Sequence, residues 1–174
     1  MRALIIVDLQ NDFLPGGALA VPRGEEVIPV INALQRQCEV VIASKDWHPV
    51  GHESFRRWTP HCIQGTWGAE FPQALFQERI ERVFLKGQDI DREDLSAFRE
   101  MEPYLIERGV QELWIVGLAL DYCVLATALE AARAGWKSAV IPEGCRAIGS
   151  VEPVIAQIQR AGITIYRPET MEAS

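Results

Sequence analysis

Six short strand-like runs, each four to six residues long and each separated from the next by a polar or amphipathic stretch, constrain this chain to few architectures. They are "ALIIVD" (3–8), "EVVIAS" (39–44), "RVFLKG" (82–87), "ELWIVG" (112–117), "KSAVI" (137–141) and "ITIY" (163–166). Their apolar cores show little inside–outside alternation, as strands covered on both faces do. Between them, Val27, Val30, Ile31 and Leu34 recur at helical spacing, as do Leu125, Ala128, Leu129 and Ala132, and later Val151, Val154, Ile155 and Ile158. Asp121 and Ser150 are read as N-caps. The alternation predicts an α/β fold, an open doubly wound, mostly parallel six-stranded sheet with helices on both faces. Six strands suit that better than a closed eight-stranded barrel. With 174 residues and no internal repeat or linker-like tract, the reading is a single domain over 1–174.

A formal net charge of −7 argues against a broad basic footprint, so neither nucleic acid nor an anionic membrane surface is expected as a partner. A small molecule fits better, and association between copies of the chain is left open. The apolar run before Asp8 is only five residues long, too short for a signal-peptide core or a membrane span. Cys38, Cys62, Cys123 and Cys145 are scattered without C-x-x-C spacing, which points to reduced thiols and a cytoplasmic protein.

The connection from Lys45 to about Arg82 breaks the rhythm of short loops. It carries all three histidines and three of the five tryptophans, and long loops in a compact domain are usually functional. Asp46 and His48 are two apart, so in extended backbone they point the same way. With His52 and His61 following, this is a ligand set suited to zinc, iron(II) or manganese.

The strand ends suggest a second constellation. Asp8 closes the first run, Lys86 nearly closes the third, and Cys123 opens the helix after the fourth. In a parallel sheet these termini share one edge, so a carboxylate, an amine and a thiol can converge as a nucleophile with its activating partners. A helix N-terminus and a nearby ammonium would both favour thiolate at Cys123.

"ALIIVDLQNDFLPGGALAV", "ASKDWHPVGHESF", "PHCIQGTWGAEF", "FLKG" and "VGLALDYCVLATALEA" stand in order between residue 3 and about residue 133. Together they resemble the nicotinamidase/pyrazinamidase branch of the isochorismatase-like cysteine hydrolases. The resemblance implies a catalytic triad of Asp8, Lys86 and Cys123. It implies a divalent metal, zinc first and iron or manganese as alternatives, held by Asp46, His48 and His61. His52 matches a histidine that some members use as a further ligand and others leave near the ligand shell. Phe13 and Trp58 take the positions whose rings sandwich a pyridine, and the backbone amides of Ala119 and Cys123 match an oxyanion hole beside a cis Leu118–Ala119 peptide. The implied reaction is hydrolysis of nicotinamide and pyrazinamide through a thioester, in NAD salvage or another role.

Two positions depart from the family pattern: Leu120 replaces a threonine and Leu95 a tyrosine. The segment from Phe98 to Gly109 is shorter than in many members. Two other readings follow. One is a related amidohydrolase acting on a carbamoyl or ureido substrate; the other is a non-catalytic module that sequesters a metal or pyridine metabolite, for which a nucleophile would have no use.

Overall fold

The structure, a computed structural model, describes residues 1–169. One sheet is formed by β1 (Arg2–Val7), β2 (Val40–Asp46), β3 (Arg82–Lys86), β4 (Glu112–Leu118), β5 (Lys137–Arg146) and β6 (Thr164–Ile165). Its order is β3-β2-β1-β4-β5-β6, and every neighbouring pair is parallel, as the apolar runs predict. The helices are α1 (Val27–Gln35), α2 (Phe98–Glu107), α3 (Leu125–Arg133) and α4 (Val151–Arg160).

Central β1 explains why its run is so apolar: Ala3 through Val7 are all fully buried. Each large side chain among them stabilises the fold by roughly 1.5–3 kcal/mol. From β1 the chain steps outward to β2 and β3, then returns across the sheet to β4 on the other side of β1. Right-handed crossovers therefore place α1 on one face and α2, α3 and α4 on the other. The contacts of α2 with α3 and of α3 with α4 agree. The long connection extends the α1 face, where the carbonyls of Ala74 and Phe76 accept hydrogen bonds from the Asn32 and Gln35 side chains.

The structure adds or moves several elements. Helix α2 carries no helical signal strong enough to read, because Pro103 interrupts it and its outer face is polar. It nevertheless buries Phe98, Met101 and Leu105 along one stripe. Strand β5 runs past the expected 137–141 to Arg146, because its pairing with β4 slips between Ile115 and Gly117. A Cβ at Gly117 would overlap the Val7 backbone, so only glycine lets β4 lie this close to β1 there. Asp121 is not the N-cap of α3, which begins only at Leu125. It lies in a turn of π-helix (Leu120–Val124), and its carboxylate accepts the N–H groups of Ile148 (3.0 Å) and Gly149 (2.8 Å). Ser150 does occupy the N-cap position of α4, without a side-chain capping bond.

Strand order reverses between β1 and β4, which opens a crevice at their carboxyl ends, the place where open α/β sheets hold ligands. Asp8 follows β1, Asp46 ends β2, Lys86 ends β3 and the π-turn follows β4. The topology thus gathers residues 8, 46, 86 and 123 at one edge.

Candidate active site

Lys86 is the hub of the crevice. Its Nζ lies 2.5 Å from Asp46 Oδ1 and 2.8 Å from Asp8 Oδ2, and donates to Cys123 Sγ at 3.5 Å and to the Asp94 carbonyl at 3.2 Å. The long side chain reaches from β3 across the end of β2 to Asp8. All four side chains are buried. Asp8 sits at φ 48°, in the left-handed region, where the chain turns out of β1, and its Oδ1 accepts the Ser44 hydroxyl at 2.7 Å. Its Oδ2 faces the Lys86 ammonium in a close charge contact and has no well-aligned hydrogen-bond donor among the described residues.

Burial dominates the electrostatics. It raises the pKa of Asp8 above the usual carboxylate value, outweighing the pull of Lys86, with Asp46 adding to the rise. It pushes the Cys123 thiol well up, again against Lys86. Burial would also raise Asp46, but the Lys86 ammonium and His48 outweigh it and hold that carboxyl well below the carboxylate range. Lys86 is held charged because its carboxylates overcome its own burial. Burial thus works against the thiolate that the helix terminus and the ammonium favour, and Cys123 and Asp8 compete for one proton.

Asp46 faces two ways. Its Oδ2 lies 3.5 Å from His48 Nε2 and 3.9 Å from His61 Nε2, forming a buried trio of ligand atoms. Each histidine presents Nε2 because its other nitrogen is fixed: His48 Nδ1–H donates to the Gly87 carbonyl and His61 Nδ1–H to the Thr59 carbonyl, both at 2.8 Å. Such second partners set the tautomer that frees Nε2 for a metal. Gly87 must lack a side chain, since a Cβ there would overlap the His48 ring. Donor atoms and spacing fit a divalent cation.

Asp8, Asp46 and Cys123 also offer mutually close ligand atoms. The Lys86 ammonium already stands among them, so that grouping does not suit a second cation. His52 is likewise not brought into the metal trio. Its Nδ1 accepts the Ser54 N–H (3.2 Å) and faces the Ser54 hydroxyl (2.7 Å), while its Nε2–H donates to the Arg92 carbonyl at 3.0 Å. Both nitrogens have hydrogen-bond partners within the protein, so His52 stands beside the trio rather than in it.

A cleft of about 550 Å³, measured to its open mouth, leads down to these groups. Phe13 and Trp58 line it, as do Leu95, Ala119, Tyr122 and Ile148. Leu120, the other departure from the family pattern, is buried behind the wall. The Leu118–Ala119 peptide is cis, and the Ala119 N–H donates to no other group among the described residues.

Two buried residues that sequence reasoning passed over hold this arrangement. Gln10 clamps Asp46: its Oε1 accepts the Asp46 N–H (2.9 Å), and its Nε2 donates to the carbonyls of Asp46 (2.7 Å) and Ala69 (2.9 Å). Asp12 accepts the N–H of Cys62 at 2.7 Å and of Ala18 at 3.0 Å. It thereby anchors the backbone next to His61. No local pattern marks either role, because the partners at the site, Asp46, Ala69 and Cys62, lie tens of residues away.

Residues 2–165 match the family described as the Isochorismatase domain. The chain belongs to the isochorismatase-like hydrolases. Within them it is 37% identical to nicotinamidase of Escherichia coli (strain K12), with 95% of this chain and 94% of that protein covered. Pyrazinamidase of Pyrococcus horikoshii, solved in complex with zinc, matches with a TM-score of 0.88 at 36% identity, covering 95% of this chain and 98% of its own. PnC1 from L. infantum, in complex with nicotinate, matches at 0.92 and 32% identity, covering 96% and 92%. The resemblance carried by the five sequence segments is thus borne out as strong homology to the nicotinamidase/pyrazinamidase branch. These relationships support a hydrolytic role for the cleft.

Proposed function

We propose that this protein hydrolyses nicotinamide, and pyrazinamide likewise, to nicotinate or pyrazinoate and ammonia. The observation that carries this reading is the convergence of Cys123, Asp8 and Lys86 beside the Asp46–His48–His61 trio at the foot of one cleft, in a chain homologous to nicotinamidases.

The ring would lie between Phe13 and Trp58 with its carboxamide over Cys123. As Sγ attacks the carbonyl carbon, the thiol proton passes to Asp8, whose raised affinity suits it to receive one. The developing oxyanion is met by the N–H groups of Ala119 and Cys123. Asp8 returns the proton to the leaving nitrogen, the C–N bond breaks, and ammonia departs from the thioester. Asp8, again a carboxylate, then takes a proton from water as that water attacks the thioester carbon. The proton returns to sulfur as the acid leaves. Lys86 stays charged throughout and balances the moving negative charge.

Asp46, His48 and His61 would hold one divalent transition ion, zinc by first preference and iron or manganese otherwise, supplying a Lewis-acid anchor for a pyridine-type ring nitrogen. Purified protein should then carry about one equivalent of metal, and His48→Ala should lose it, because one of only three protein ligands is gone. Elemental analysis of the two proteins decides this; a full complement in His48→Ala would refute the assignment. Asp46→Ala should lose the metal too, but it also strips Lys86 of a buried partner and is less clean.

The cysteines are free among the described residues, in keeping with a reducing compartment. We assign the protein to the cytoplasm and to recycling of nicotinamide toward pyridine nucleotides. The direct test is ammonia release from nicotinamide by metal-replete protein, with nicotinate identified chromatographically. Release of neither product would sink the reading.

A further inference from the structure

We propose that His52 is a positioning residue that latches the segment Gln88–Ser96 onto the metal-ligand loop, and so fixes the outer wall of the cleft. This rests on the preceding reading only in supposing that a small amide uses that cleft.

His52 is almost fully buried, and its two ring nitrogens engage different segments of the chain. Toward its own loop, Nδ1 accepts the Ser54 N–H and faces the Ser54 hydroxyl; toward the other segment, Nε2–H donates to the Arg92 carbonyl. The ring lies flat on His48, with centroids 4.0 Å apart and planes 24° from parallel. Two neighbouring links run parallel to the latch. The Glu53 N–H donates to the Ile90 carbonyl at 2.8 Å, and Arg57 Nη2 pairs with Glu93 Oε2 at 2.8 Å. Of the three, the His52 bond is the one made by a buried ring that also stacks on the His48 side chain.

What the latch holds is functional surface. Just beyond Arg92, the Asp94 carbonyl accepts from Lys86 Nζ, and Leu95 lines the cleft. Leu95 is 41% exposed, so little packing of its own keeps it in place. Its position depends on the segment's ties to its neighbours. Freeing that segment loosens the cleft wall and one of the carbonyls on Lys86, while Asp46, His48 and His61 keep their own fixed partners. Substrate binding should therefore suffer more than metal binding.

Three substitutions separate the roles. His52→Ala removes both bonds. His52→Asn can still accept the Ser54 N–H but is too short to reach the Arg92 carbonyl. His52→Gln has an acceptor and a donor and enough length for both. Hydrogen exchange in peptides covering Gln88–Ser96 should quicken about tenfold in the Ala and Asn variants, the consequence of losing one net hydrogen bond. His52→Gln should recover most of the protection. The difference should appear in metal-free and metal-loaded protein alike, since the latch involves no metal, and all three variants should bind about one equivalent of added zinc. In turnover, KM should rise more than kcat falls. Unchanged exchange in His52→Asn would overturn the proposal. Loss of zinc stoichiometry comparable to that of His48→Ala, or an exchange difference seen only in loaded protein, would overturn it in favour of a ligand role. Should the protein release no ammonia from any amide, exchange and zinc content still decide the latch by themselves.

Discussion

Replacing Cys123 with alanine is expected to abolish steady ammonia release from nicotinamide while leaving substrate and metal binding largely in place. The substitution removes the attacking atom and nothing that builds the cleft: Phe13 and Trp58 stand on other segments, and the metal trio is held by Gln10, Gly87, Thr59 and the Asp12 anchor. Loss of a nucleophile that acts in concert with its base costs on the order of 10⁴-fold or more in turnover. Binding measured calorimetrically on the variant should stay within a few-fold of the unmodified protein. Undiminished release by Cys123→Ala would remove the thioester from the mechanism.

Cys123→Ser sharpens the same expectation. A hydroxyl gives up its proton far less readily than a thiol, and a carboxylate, even one whose proton affinity burial has raised, is too weak a base to take it. The serine variant should therefore be nearly as inactive as the alanine one, although it keeps a nucleophile of similar size. Burial raises the proton affinity of the carboxyl as well as that of the thiol, which suits Asp8 to receive a proton from sulfur rather than from a hydroxyl.

Period and composition carried the sheet into view because β1, β2 and β4 are buried almost throughout and had to be written in apolar residues. They could not show α2, whose short apolar stripe is broken by Pro103, nor the reach of β5 beyond Ile141, which depends on a pairing slip opposite Gly117. The convergence of Asp8, Lys86 and Cys123 was legible because strand termini of a parallel sheet share an edge. The balance of forces on the Cys123 proton was not. A helix terminus and a lysine favour thiolate, whereas burial, which sequence does not report at single-residue resolution, opposes it.

His52 illustrates the other limit. Residue type and proximity to His48 left its place in or near the ligand shell open, and the partners of its two nitrogens supply a different, testable role for it. Gln10 and Asp12 were silent for the same reason: a polar side chain that satisfies distant backbone groups leaves no local pattern. The site's chemistry is thus written at the strand ends. Its rigidity is written in long-range hydrogen bonds.

Specificity should turn on the polar end of the cleft. Nicotinamide and benzamide share a shape and a scissile amide, but only nicotinamide carries a ring nitrogen whose lone pair can meet the divalent site formed by Asp46, His48 and His61. The rest of the lining offers benzamide the same apolar contacts, through Phe13, Trp58 and Leu95. Benzamide must therefore leave the polar end unsatisfied or filled by water, and sites built around one buried polar contact reject analogues that lack it by orders of magnitude. A retained water softens that penalty. The expected loss is roughly a hundredfold in kcat/KM, about 3 kcal/mol. Pyrazinamide keeps the nitrogen and should remain a good substrate. Ammonia release from the three amides, with N-carbamoylsarcosine beside them, makes the comparison in a single assay. Equal efficiency toward benzamide and nicotinamide would show that the polar end plays no part in orienting the ring. Preference for the carbamoyl compound would mean that Leu95, where relatives carry tyrosine, has reshaped the cleft for a ureido substrate while Cys123, Asp8 and Lys86 keep the same chemistry.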